Sequence, residues 1–291
     1  MLLTIGVVAV SFSAIFIRQA HAPALTVALY RNAISAAMVL PLAAWLRRGE
    51  LRAIAPRRVG IAVLAGAILA AHFAAWISSL SYTSIAASVV LVTSSPILVA
   101  AASRILYGER IRPATMTGIM VGLAGAGIVS GGGFAISSRA AWGDFLALAG
   151  AVAAGGYFVA GRHLRQELSL LTYVALVYTT CALVLLPVVV LSGTRLSGFP
   201  AKTWGLFVLM AVVPQMLGHT VFNYLLKEVD ATIVAISIMG EPIGSTLLAL
   251  AFFGETPPWT AVAGGVLILA GIYVAVTAQA RGRRTIPVPV E

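Results

Sequence analysis

Ten long apolar runs, separated by short stretches rich in Gly, Pro, Ser and Arg, dominate the chain. They cover residues 2–17, 24–46, 59–80, 84–107, 113–131, 143–161, 171–192, 203–226, 231–253 and 259–278. None shows the strict alternation of a half-buried strand, so transmembrane barrel strands are excluded. Most are long enough to cross roughly 30 Å of hydrocarbon as a helix. Backbone amides in lipid must be satisfied within their own segment, which leaves helix as the answer. The first run is short, and Ala20-His21-Ala22 after it has the small residues of a signal-peptidase site. Against a signal peptide, no Lys or Arg precedes the run and Arg18 follows it, so a retained helix is expected.

Composition agrees. Of 291 residues, 60% are hydrophobic and 10% charged, too few charges to cover a soluble globule. The net charge of +10 does not form an aromatic-interleaved stripe, and nucleic-acid binding is not expected. The cations sit between the runs and set orientation. With the N-terminus in the cytoplasm, the inner segments hold Arg47, Arg48, Arg52, Arg57, Arg58, Arg104, Arg110, Arg112, Arg162, Arg165, Lys227, Arg281, Arg283 and Arg284. The outer segments hold Arg18, Arg139, Arg195 and Lys202, so the positive-inside rule places both termini in the cytoplasm. The lone Cys181 reads as a small buried hydrophobe.

The chain also repeats itself. Leu106-Tyr107-Gly108-Glu109 recurs as Phe252-Phe253-Gly254-Glu255, and at the same offset Ser95-Pro96 aligns with Glu241-Pro242, Gly118 with Gly264, and Gly125 with Gly271. His72 aligns with His219 after a one-residue slip. Two five-helix halves are expected, 1–138 and 139–291. Because five is odd, the second must be inverted. The first Gly-Glu turn is flanked by Arg104, Arg110 and Arg112, and the second by Thr256, Pro257 and Pro258, as opposite faces require. Inverted repeats are a hallmark of secondary transporters.

With Arg31 in the second run, Pro96 followed by Gly108-Glu109, and Glu241-Pro242 followed by Gly254-Glu255, the whole chain resembles the drug/metabolite transporter superfamily in its ten-helix, two-EamA form. The resemblance implies an all-α integral membrane fold of ten transmembrane helices in two inverted repeats. It also implies export of small metabolites across the bacterial inner membrane, with no cofactor. The third run, with its His and aromatics, looks most like the bacterial exporters of aromatic and other neutral amino acids. Nucleosides and cationic drugs are the alternative cargo within the same superfamily.

Polar groups inside hydrocarbon are costly unless paired or wet, which singles out a few residues. Gln215, His219 and Asn223 are spaced four apart, and His72 with Trp76 makes the equivalent face of the third run. These faces either meet across a substrate cavity or tie helices together. Glu241 either holds a substrate ammonium or a proton, or is a buried partner of His219 or Arg31. Pro96, beside Ser95, and Pro242 are predicted to kink their helices and to act in gating. Arg31 either snorkels to the headgroups or points inward to a partner or a substrate carboxylate. Asp144 is expected at the interface. Tyr157 either lines the cavity or packs. Gly118-x-x-x-Gly122 and Gly127-x-x-x-Gly131 predict close helix packing or an oligomer face; a monomer is expected, with a dimer as the alternative. No phosphate loop, H-E-x-x-H or G-x-S-x-G occurs, so ATP hydrolysis, metalloprotease and serine-hydrolase chemistry are not expected. The rival classes are a channel, for which no pore ring is visible, and a membrane enzyme.

Overall fold

The structure is a computed structural model that describes residues 1–83, 85–108, 111–129, 137–254, 256 and 259–283. Glu109 and Glu255 of the two Gly-Glu turns lie outside the described residues, as do Arg110, Gly131, Pro257, Pro258 and Arg284. Along the chain run α1 (Leu2–Ala20), α2 (Ala24–Leu46), the short α3 (Arg48–Ala53), α4 (Pro56–Ser79), α5 (Ile85–Val92), α6 (Ser95–Tyr107), α7 (Pro113–Val129), α8 (Ser138–Arg165) and α9 (Leu170–Leu191). Then come α10 (Ala201–Met210), a π-helical segment (Ala211–His219), α11 (Thr220–Leu225), α12 (Ala231–Ile238), α13 (Glu241–Phe253) and α14 (Trp259–Arg283). All described regular structure is helical.

Nine helices or continuous helix pairs among the described residues are long and apolar enough to cross a bilayer, and Pro113–Ile128 is a shorter apolar helix beside them. The protein is a multi-pass membrane protein. Its outer faces expose large apolar side chains such as Ile105, Leu183 and Leu191, as lipid contact requires. Trp45, Trp142, Trp204 and Trp259 sit exposed near helix ends, where amphipathic rings favour the membrane–water interface.

Two predicted runs are each made of two helices. The fourth breaks at Thr93–Ser94 and the ninth at Met239–Gly240. The prolines stand just after the breaks, in the first turn of α6 and α13. There the missing N–H costs nothing, so each proline starts a helix rather than bending one. The two units match in size: α5 and α12 have eight residues each, α6 and α13 thirteen each. Both end on a left-handed glycine, Gly108 at φ 64° and Gly254 at φ 68°, whose N–H groups bond back to Ser103 and Leu250. That conformation is why each turn needs glycine.

Packing follows small residues. α7 crosses α14 so closely that a Cβ on Gly118 would lie 2.5 Å from the Ala275 nitrogen, and one on Gly271 2.5 Å from the Gly118 carbonyl oxygen. Gly125 meets the Gly264 carbonyl in the same way. Gly122 is filled by the Met239 side chain. Gly127 is different: a Cβ there meets nothing within 4 Å among the described residues, so close packing at this position is not what the structure shows. Elsewhere α4 is wedged among α2, α8 and α9, while α1 packs on α10, the π segment and α11–α13.

Candidate functional site

Near the two helix breaks lies a cavity. Its wall is built from Val10 and Ser13 of α1, His72 and Trp76 of α4, Val92 of α5, Thr93 and Ser95 at the first break, and Glu241 at the second. Ala154, Tyr157 and Phe158 of α8, His219, Phe222 and Ile238 complete it. The structure thus brings together His72, Trp76, Ser95, His219 and Glu241, with Pro96 and Pro242 beside the last break residues.

Gln215 and Asn223 do not line it. A π segment runs through this stretch: Pro214 has no N–H to give, and the Thr220 N–H bonds to the Gln215 carbonyl, five residues back. Gln215 turns to Arg31, accepting from its Nε at 2.6 Å, and donates to Asn32 at 3.5 Å. Asn223 is held by Tyr157 at 2.6–2.8 Å and by Tyr178 at 3.4 Å.

Arg31 is fully buried and does not snorkel. Its Nη1 donates to Ser13 Oγ at 2.7 Å and its guanidinium lies 4.4 Å over the Phe73 ring. Its Nη2 has no hydrogen-bond partner among the described residues, and neither do Trp76 Nε1 and His219 Nδ1. Arg31 therefore stands one layer behind Ser13, a cation adjoining the cavity wall. Glu241 is buried on the wall itself and makes no ion pair with Arg31 or His219 within 4 Å. Buried polar groups left unsatisfied cost about 1–3 kcal/mol each, so a cluster of them around a cavity suits a polar ligand that completes their bonds.

The imidazoles are arranged with care. His72 Nδ1 lies 2.9 Å from the Gly150 carbonyl, which can only accept, so this nitrogen carries the proton and Nε2 is left as an acceptor. The ring stacks on Trp76 at 6.0 Å and stands 6.4 Å from His219. Gly150 permits this, since a Cβ there would come within 3.1 Å of the Trp76 Cβ.

Beyond the Asn223 cluster two arginines tie α8 to α11 and the turn after it. Arg162 donates to the carbonyls of Leu226 at 2.7 Å and Val229 at 3.2 Å and lies 3.8 Å from the Asp230 carboxylate. Arg165 donates to the Asn223 carbonyl at 3.0 Å and to that of Leu168. These cations cap the carbonyl end of α11, where a helix dipole favours positive charge. Asp144 accepts from Thr83 at 2.7 Å near the far end of α8.

Sequence reasoning overlooked Ser13, Thr93, Phe158 and Phe222 as wall residues. Ser11 and Ser13 were the available signal, two serines near the middle of a run whose only other hydroxyl is Thr4. The capping role of Arg162 and Arg165 had no local signal beyond their charge.

Comparison with known proteins agrees with this architecture. A crystal structure of another protein, 24% identical, superposes with a TM-score of 0.80 over 96% of both chains, which speaks for the fold. An uncharacterized transporter of Archaeoglobus fulgidus is 23% identical over 87% of both chains. A pseudopaline exporter of Pseudomonas aeruginosa is 25% identical over 86% of this chain and 85% of its own length. A probable terminal-alkyne amino-acid exporter of Streptantibioticus cattleyicolor is 27% identical over 67% of this chain and 64% of its own. The EamA-like transporter family matches residues 1–131 and again 141–277. The chain, whose described helices surround a mainly apolar cavity with a few polar side chains on its wall, belongs to the EamA-like transporter family and is a membrane transporter, not an enzyme.

Proposed function

We propose that this chain exports a small neutral metabolite across the bacterial inner membrane, namely an amino acid with an apolar or aromatic side chain. The observation that carries the reading is the pairing on one cavity of an aromatic wall, Trp76, His72, Phe158 and Phe222, with a buried carboxylate, Glu241, and with Arg31 one layer behind Ser13. An ammonium would face Glu241, a carboxylate would face Ser13 and His219, and the rings would contact the side chain. Gln215 and Asn223 support this site from behind rather than touching the cargo. The name of one relative, a probable exporter of a terminal-alkyne amino acid, favours cargo with amino-acid character.

Movement follows from two inverted halves, 1–138 and 139–291, with both termini cytoplasmic. Rocking of one half against the other about the breaks at Thr93–Ser94 and Met239–Gly240 would alternate access. The matched α5–α6 and α12–α13 units support this reading.

Purified protein in liposomes, loaded with labelled phenylalanine and challenged with a panel of amino acids, nucleosides and organic cations, tests it. Saturable flux competed by apolar amino acids is expected. A second reading is favoured by one observation: Glu241 is the sole charged side chain on the wall among the described residues. Organic cations would then be the cargo. Flux of a quaternary ammonium with none of phenylalanine would establish it, and flux linear in concentration would point to a channel.

A further inference from the structure

The central wall keeps hydrogen-bonding atoms that the main-chain groups of an amino acid do not use. In the reading above, Glu241 takes the ammonium, and Ser13 with His219 takes the carboxylate. Trp76 Nε1 and His72 Nε2 are left over. Trp76 is 4% exposed, and its indole N–H, which can only donate, has no hydrogen-bond partner among the described residues. His72 spends its Nδ1 proton on the Gly150 carbonyl at 2.9 Å, so Nε2 is an acceptor, and no described residue donates to it. The two residues are one turn apart on α4, with rings 11° from parallel and centroids 6.0 Å apart. A donor and an acceptor thus stand side by side on one wall.

The other buried atoms without a partner differ in kind. Ser103, Tyr173, Thr179 and Thr232 end in hydroxyls, which rotate to suit a nearby acceptor, and none of the four lines the cavity. Arg31 stands behind the wall. The indole N–H has no such rotor, since its direction is fixed with a ring that stacks on His72, and the His72 ring is fixed by its bond to Gly150. A purely hydrocarbon side chain would seal both groups off with neither bond made, and a buried polar group left unmet is costly. An indole N–H on the cargo could serve His72 alone. A phenol serves both, because its oxygen accepts and its O–H donates. Phe158 and Phe222 on the same wall suit the ring that carries it.

We propose that Trp76 and His72 are the specificity-determining pair of this site, and that its preferred cargo is an amino acid whose aromatic side chain carries a hydroxyl. The hydroxyl accepts from Trp76 Nε1 and donates to His72 Nε2. The proposal rests on the amino-acid reading above and narrows it.

Liposomes holding the full chain and assayed with labelled tyrosine test it. Unlabelled tyrosine is expected to halve the flux at a concentration at least about tenfold below that needed of phenylalanine or of 4-methylphenylalanine, which keeps the bulk of the phenol without its hydrogen bonds. 4-Methoxyphenylalanine, which accepts but cannot donate, should fall between them. Trp76→Phe keeps an aromatic ring and removes the N–H, and should bring the tyrosine advantage below about threefold. Equal competition by tyrosine, phenylalanine and 4-methylphenylalanine in the parent chain would overturn the role of the pair while leaving the amino-acid reading standing, and that result needs no variant to fold. A tyrosine advantage left intact in monodisperse Trp76→Phe protein would overturn it too. Absence of saturable flux for both labelled tyrosine and labelled phenylalanine would overturn the amino-acid reading itself.

Discussion

The α7–α14 contact and the seam around the central cavity are built from similar apolar helices, yet they are opposites in packing. At the first, glycines bring backbones to where no Cβ fits, Ile119, Ala126, Ile268 and Ala275 bury around them, and the buried polar pair across the contact is satisfied, Thr115 donating to Gln279 at 3.1 Å. At the second, Arg31, His219 and Trp76 each keep a polar atom unpartnered, and Glu241 faces empty space. Dense packing has one good arrangement, because dispersion and excluded volume are lost with a small displacement. A cluster of unmet hydrogen bonds has several arrangements of similar energy, and a ligand can choose among them. One region therefore holds the bundle and the other can change.

The sharpest way to break this contrast is to overfill the tight side. Gly118→Leu should abolish folded, monodisperse protein, since overpacking costs about 1–3 kcal/mol or more even where neighbours can yield, and here the neighbours are backbone. Gly127→Leu, facing open space, should leave the melting temperature unchanged. If both behave alike, as read by size-exclusion profile and thermal melt, the packing argument fails.

On the loose side, Glu241→Gln should keep the fold and cut transport at least tenfold, because a neutral amide loses about 1.4 kcal/mol or more of attraction for an ammonium. Unchanged flux in liposomes would remove Glu241 from binding. A smaller loss is expected for Arg31→Lys. It keeps the charge but not the fork that reaches Gln215 and Ser13 together, leaving one partner unpaired at about 1–3 kcal/mol. The thermal midpoint should fall by several degrees, roughly 2–4 °C per kcal/mol.

Removing the tie below Asn223 should act on access rather than stability. In Arg162→Gln, hydrogen bonds to the Leu226 and Val229 carbonyls weaken, and a thiol reagent applied from the Arg52 face should modify Thr93→Cys several-fold faster.

The smallest effect concerns Glu50, outside the membrane-spanning helices. Burial alone would raise its pKa, but hydrogen bonds from Ser169 and Thr172, with Arg47 nearby, hold it below the ordinary 4.5. A carboxyl with a depressed folded pKa contributes stability above its unfolded pKa and loses it as pH falls through the folded value. Acidification below about pH 4.5 should therefore lower the melting temperature slightly more in the parent than in Glu50→Gln.

Much of the fold was legible because lipid imposes simple rules. Run length marks each crossing, and a lipid-spanning backbone has to be helical, so nine of the ten runs coincide with helices long and apolar enough to cross among the described residues, and the fifth with the shorter apolar helix Pro113–Ile128. The Gly-Glu turns were legible in their glycines, since left-handed caps demand them. The candidate site was only half legible. His72, Trp76, Ser95, His219 and Glu241 meet on one wall, but of the Gln215–His219–Asn223 face only His219 reaches it, while Gln215 is held by Arg31 and Asn223 by Tyr157. Arg31 could equally have turned outward by sequence alone.

Hydropathy and repeat spacing, then, determined that the chain crosses the membrane ten times and where its helices stop, because each of those facts is settled within a segment by solvent and backbone hydrogen bonding. Which side chains share a cavity, which cation is buried and which segments the arginines of α8 tie together was decided by tertiary structure. Those depend on how helices rotate and approach one another, and a single shifted turn or glycine contact changes them all.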